Sequence, residues 1–213
     1  MGIQDKGAFG GFRNKTGPLV GHIVNGQNVI TSIPARSNKP ATVKQLDQRK
    51  KFGMVTKYLS WISALVQQGF SEHEPKQSAM NMAVRYNLKN AITGVSPDFT
   101  IDPAKVMFSQ GKSPLPFNIS VGSLVGGKLE YAWGVSPVNN YSKATDVVNL
   151  VVYNASKNQF VVLEAAATRA EMSFTLQLPA AYVGDTVNCY FNVYTADKKA
   201  ASNSFYAGQV VVL

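Results

Sequence analysis

Two histidines, His22 and His73, and one cysteine, Cys189, are the whole supply of imidazole and thiol in 213 residues. A zinc site draws three or four ligands from such groups, so this chain is poorly equipped for one. His73 stands between Glu72 and Glu74. A nucleophile–base–acid relay also needs a nucleophile presented to that base, and no flanking motif supplies it. Gly7, Gly10 and Gly11 follow no strand, and no Gly-Lys-Ser/Thr opens a helix, so a phosphate loop is not expected. Gly126-Gly127 reads as a turn between strands, and Asp-x-Asp calcium loops are absent. The expectation is a non-enzymatic protein with no cofactor, no metal and no small-molecule substrate.

Anion binding is the one chemistry with residues to spare. Between Arg36 and Lys57 lie seven basic residues, Arg36, Lys39, Lys44, Arg49, Lys50, Lys51 and Lys57, against a single acid, Asp47. Residues 1–116 hold 15 Lys and Arg against 6 Asp and Glu, whereas residues 117–213 hold 6 of each. The whole net charge of +9 therefore belongs to the first half. Such a surface attracts nucleic acid, an acidic protein or an anionic membrane, or simply keeps the protein soluble. Cations near a helix N-terminus oppose the macrodipole, and no base-reading motif accompanies them. Nucleic-acid binding here would be salt-dependent and independent of sequence.

These cations need a helix to carry them. Thr42 and Gln45 have capping-box spacing, and Leu46, Phe52, Val55, Leu59, Ile62 and Val66 recur at helical spacing up to a stop at Gly69. Asn25-Gly26, between Leu19–Val24 and Asn28–Ile33, predicts a hairpin. Pro75 opens a second predicted helix through about Ala91. Phe99–Ile101 and Lys105–Ser109 read as short strands, and the two prolines within 111–116 mark a boundary between modules.

After Pro116 the period falls to two. Seven apolar runs follow: Phe117–Val121, Leu129–Trp133, Val147–Tyr153, Phe160–Leu163, Met172–Leu178, Val187–Tyr194 and Ser204–Leu213. Turns every ten residues or so imply an antiparallel sandwich, with Trp133, Tyr190 and Tyr194 as core aromatics. Without a cysteine pair the fibronectin-like variant is favoured over the antibody type. The expected class is α+β and mostly β: a basic hairpin-and-helix module over residues 1–116 with a flexible N-terminal arm, then a fibronectin-III/immunoglobulin-like sandwich over residues 117–213.

The two ends suggest assembly. Phe9 and Phe12 are apolar anchors in a Gly- and Lys-rich arm, and Val210, Val211, Val212 and Leu213 form a final apolar strand. That strand either closes its own sandwich or recruits another subunit by strand addition. The expected partners are a second copy of the chain, nucleic acid or an acidic protein. No apolar h-region at the N-terminus suggests a signal peptide, and no apolar run suggests a membrane span, so a cytoplasmic or particle-associated location is expected.

Five segments carry a resemblance: G-G-F-x-N-K-x-G-P-L-V-G (Gly10 to Gly21), S-N-K-P-A-T (Ser37 to Thr42), Q-L-D-Q-R-K-K-F (Gln45 to Phe52), Y-N-L-K-N-A-I-T-G (Tyr86 to Gly94) and P-D-F-x-I-D (Pro97 to Asp102). With V-V-Y-N (Val151 to Asn154) and S-N-S (Ser202 to Ser204), they resemble an uncharacterised domain-of-unknown-function family of Bacteroidota bacteria. The resemblance covers nearly the whole chain and implies a bacterial or phage-linked, non-enzymatic protein. It brings no catalytic residues.

Overall fold

The computed structural model describes all residues except 1–2, 5–9, 25, 36–38, 71–76 and 138–139. The chain divides into two compact units, Met1–Thr42 and Val43–Leu213.

The first unit is an antiparallel meander of β1 (Ile3–Gln4), β2 (Phe12–Thr16), β3 (Leu19–Val24) and β4 (Gln27–Ser32). The expected hairpin is there as β3–β4, pairing Val24 with Gln27 around a positive-φ Gly26. The arm is not wholly free chain, since Phe12–Thr16 adds a strand to that hairpin. Phe12 sits so close to Gly21 that a Cβ there would fall 1.9 Å from the Phe12 carbonyl oxygen.

The second unit opens with α1 (Val43–Ser60) and α2 (Ser63–Gly69) where one helix was predicted. The turn between them, tightened by Ile62 N–H donating to Leu59 O at 3.2 Å, tucks Ile62, Leu65 and Val66 into the core. The predicted stop at Gly69 is a close approach: a Cβ would lie 2.6 Å from Phe108 O. Helix α3 (Ala79–Asn90) starts where the Ser78 hydroxyl accepts from Asn81 N–H. The predicted start at Pro75 lies outside the described residues. A hairpin of β5 (Ile92–Val95) and β6 (Asp98–Ile101) follows, around a cis Ser96–Pro97 bond. The strand predicted at Lys105–Ser109 is instead a 3-10 turn over Pro103–Lys105 and an extended segment. Asn87 pins that segment from α3, accepting from Met107 N–H at 2.9 Å and donating to Met107 O at 2.6 Å.

Then come β7 (Ser120–Leu124), β8 (Lys128–Ala132), β9 (Val147–Asn154), β10 (Gln159–Thr168), β11 (Ser173–Gln177), β12 (Thr186–Tyr194) and β13 (Phe205–Val211). They form antiparallel sheets in the orders β11-β8-β7 and β10-β9-β12-β13. All seven overlap the predicted runs, β7 sharing only Ser120 and Val121 with Phe117–Val121. An immunoglobulin constant domain places its fourth strand beside the fifth; here β10 pairs with β9 instead. Leu129, Tyr131 and Trp133 meet Val148, Leu150, Val152, Val187, Cys189, Phe191 and Val193 between the sheets.

The four-stranded sheet is covered on its other face as well. Tyr58 of α1 stacks edge-on against Tyr153 and Phe160, with ring centroids 4.9 and 5.0 Å away. The Tyr58 and Tyr190 hydroxyls are 3.1 Å apart, and Tyr194 OH donates to Leu65 O at 3.0 Å. Tyr190 and Tyr194, expected in the sandwich core, therefore face the helices. The boundary expected at 111–116 separates no modules either. Ser113 N–H donates to Ala201 O there, and helices and sandwich share one sheet within Val43–Leu213.

Candidate functional site

His22 lies exposed on β3, and His73 is outside the described residues. Cys189 is buried between the sheets, and desolvation pushes its thiol up to about 11, which keeps it protonated and unreactive. Among the described residues no three His, Cys, Asp or Glu side chains could share a metal ion. No described helix is long and apolar enough to cross a membrane.

The basic segment runs across the division between the two units. Arg36 lies outside the described residues, and Lys39 belongs to the first unit. Lys44, Arg49, Lys50, Lys51 and Lys57 ride on α1. The predicted apolar face is rotated: Val55, Leu59, Ile62 and Val66 are buried, but Leu46 and Phe52 are exposed. The inner stripe is continued toward the N-terminus by Asp47 and Lys51, which the β5–β6 hairpin makes tolerable. Asp47 accepts from the Ser96 hydroxyl at 2.7 Å, and Lys51 Nζ sits 4.3 Å from the Phe99 ring centroid. Lys50 Nζ donates to Pro97 O. Lys44, Arg49 and Lys57 are exposed.

Of the two proposed contact segments, Phe9 lies outside the described residues and Phe12 is half-buried in its own sheet. Val210 and Val211 pair with Val187 and Thr186, and Val212 N–H donates to Asp185 O. Leu213 O accepts from Gly127 N–H, and its own N–H donates to the Ser123 hydroxyl. The last strand thus pairs with β12 within its own sandwich and stands at the edge of that sheet.

A site the sequence reading passed over lies at one end of that sandwich. It is built on Thr168-Arg169-Ala170-Glu171, where the Glu171 carboxylate accepts from Thr168 N–H and holds a single 3-10 turn. The Thr168 hydroxyl donates to the same oxygen, and these two bonds hold Glu171 below the usual carboxylate range. Arg169 is clamped by its own backbone, its N–H donating to Asp146 O and its carbonyl accepting from the Trp133 indole at 2.9 Å. Its guanidinium is driven inward. It donates to Pro114 O, Ser136 Oγ and Ser113 Oγ, and it lies beside Asp146. The Ser113 hydroxyl donates in turn to Tyr141 O. Burial lowers the Arg169 pKa, and the Asp146 charge opposes that shift.

The loop so pinned, between β8 and β9, flanks the loop between β12 and β13. A cleft of about 410 Å³ lies between them, lined by Asn140, Tyr141, Lys143, Thr145, Thr195, Asp197 and Lys199. The capping-box spelling of Thr168–Glu171 was legible in the sequence; that Arg169 turns inward was not.

One family profile matches residues 11–208, from the meander to the last strand. The chain belongs to DUF6266, a family of unknown function. No curated protein matches it. The DUF6266 match spans the motifs from Ser37 to Asp102, and it also takes in Arg169, Asp146 and both loops of the cleft.

Proposed function

We propose that this DUF6266 chain is a non-enzymatic assembly protein, a subunit of a filament, particle or phage-derived structure, which docks through its N-terminal meander. The supporting observation is a set of exposed apolar side chains on that sheet. Leu19, Ile23 and Ile30 are brought to one face of β3–β4 by the register, and they are 41, 50 and 53 % exposed. Covering each such side chain is worth about 1 kcal/mol or more. The outer strand β4, Gln27–Ser32, carries no charge and no proline, the usual guards of a sheet edge. A fibronectin-like sandwich fits the role of the rigid body that this sheet attaches.

Like charge opposes self-association of a +9 chain, so salt should strengthen assembly. Size-exclusion chromatography with light scattering at low and high salt tests this. Oligomers that persist at high salt and dissociate in Ile23→Glu/Ile30→Glu support the reading. A monomer under all conditions overturns it.

A second reading draws on the helices. Helices α1 and α3 carry seven Lys and Arg against Asp47 alone, and Lys44, Arg49 and Lys57 are exposed. Sequence-independent nucleic-acid binding would fade with salt, the opposite trend, and would be lost in Lys44→Glu/Arg49→Glu/Lys57→Glu.

A further inference from the structure

From the open edge of β10 we infer that two copies of this chain pair there, antiparallel and strand to strand, joining two sheets of four strands into one of eight. The inference goes beyond docking through the meander, since it uses the other unit and makes a closed two-fold pair.

The edge has backbone groups to offer. β10 stands first in the order β10-β9-β12-β13, so only one of its sides meets a strand. From Gln159 to Leu163 it follows β9 without a break, and among the described residues the backbone of this stretch bonds only to β9. Alternate N–H and C=O groups of an edge strand point to its far side, where a further strand can take them. The stretch carries no charge and no proline, the usual guards of an edge. A guard comes only after it. The register breaks between Leu163 and Ala167, and Ala165, at φ +51°, donates its N–H to the Asn149 side chain at 2.7 Å. That bulge limits the open edge to about 17 Å of chain. The other edge of the sheet is interrupted. β13 has a register break beside Gly208, and the Leu213 N–H just past its end donates to Ser123 of β7.

The sequence of this edge is complementary to itself. A two-fold pair centred on Val161 sets Phe160 of each copy opposite Val162 of the other, and Gln159 opposite Leu163. Phe160 packs against Tyr58 on the face that meets the helices. Val162, on the same face, is paired with buried Val151 yet remains 37 % exposed. Aromatic and β-branched side chains are favourable cross-strand neighbours, and the pairing covers the exposed flank of Val162. Val161 and Leu163 pack against the sandwich core on the opposite face, and the pair continues that core across the junction. Charge decides the direction. Glu164 is the only charged residue of β10. The antiparallel pair keeps the two Glu164 about 20 Å apart, each beside Asn158 of the other copy. A parallel, in-register pair sets them side by side, which is unfavourable.

The test follows amide hydrogen exchange in the full-length chain, dilute and concentrated, with light scattering in parallel. Val162→Lys places a charge on the open edge. In the concentrated parent, every amide of Gln159–Leu163 is expected to be protected. In Val162→Lys the alternate amides that face away from β9 should exchange at least tenfold faster, while those bonded to β9 stay slow and show that the fold survives. Val162→Thr, branched and uncharged, should pair like the parent. Outward amides that exchange fast in the parent at every concentration overturn the inference, as does a Val162→Lys chain protected and paired like the parent. The meander reports separately. In Ile23→Glu/Ile30→Glu, larger oligomers should fall to a dimer with β10 still protected; a monomer with β10 unprotected overturns the pairing and leaves assembly through the meander standing.

Discussion

The Arg169 guanidinium and the Asp146 carboxylate form an ion pair, Nε to Oδ2 at 3.3 Å, with side chains 5 % and 0 % exposed. Charges so deeply buried are tolerated only when each keeps its partner. Removing one leaves the other stranded at a cost of about 3–5 kcal/mol. Arg169→Met is therefore expected to lower the denaturation midpoint strongly, and Arg169→Met/Asp146→Asn to recover part of the loss. A double-mutant cycle in urea measures the coupling. A single variant as stable as the parent would show that the pair holds nothing together.

Two glycines in the helices answer oppositely to the same substitution. A Cβ on Gly53 of α1 meets no atom within 4 Å, so Gly53→Ala gains helix propensity alone. It is expected to stabilise by about 0.5–1 kcal/mol. At the end of α2, a Cβ on Gly69 would lie 2.6 Å from Phe108 O and 2.7 Å from Ser109 Cα. Gly69→Ala must push that backbone away and break the bond from Gln110 N–H to Gly69 O. Thermal melts of the two variants should move in opposite directions.

Asn87 acts as a piece of borrowed backbone. Its side chain satisfies both the N–H and the C=O of Met107, which has no strand partner of its own, and it also donates to Ala83 O. Asn87→Leu conserves volume but orphans both Met107 groups, each orphan costing about 1–3 kcal/mol. Hydrogen exchange at Met107 is expected to accelerate more than exchange in β12. Uniform acceleration would assign Asn87 to global stability instead.

What the sequence made legible follows the range of the interactions. In β12 the stripe Val187, Cys189, Phe191 and Val193 reads as a sandwich face because its partners are also strands of period two. The other stripe, Asn188, Tyr190, Asn192 and Tyr194, is amphipathic, and nothing local says whether it meets water or protein. The answer lies at Tyr58 and Leu65, 132 and 129 residues away in sequence. The same non-locality joined helices and sandwich across the 111–116 segment. It also rotated α1, since only the β5–β6 hairpin explains why Lys51 lies inward while Leu46 does not. At one end of the sandwich, Arg169 looked like any surface cation, because Ser113 reaches it from before β7 and Ser136 and Asp146 from the β8–β9 connection.

The buried tyrosines set the alkaline limit of the fold. Desolvation raises the pKa of Tyr58, Tyr131 and Tyr190 well above the ordinary value near 10 and pushes Tyr194 up to about 12. The Tyr58 hydroxyl bond to Tyr190 works against that shift in Tyr58 but is outweighed by burial. Each of these groups binds its proton more tightly when folded than when unfolded. Their contribution is then complete below pH 10 or so and is lost as pH rises toward the folded values. The expected outcome is one cooperative alkaline transition, in which tyrosinate absorbance from these four rings and loss of β-sheet circular dichroism coincide. Tyr190→Phe removes one titrating group and the bond to Pro103 O. It should lower stability at neutral pH while making the fall above pH 10 less steep. Tyrosinate absorbance that climbed in full while the sheet signal stayed intact would mean that hydroxide reaches these rings without unfolding.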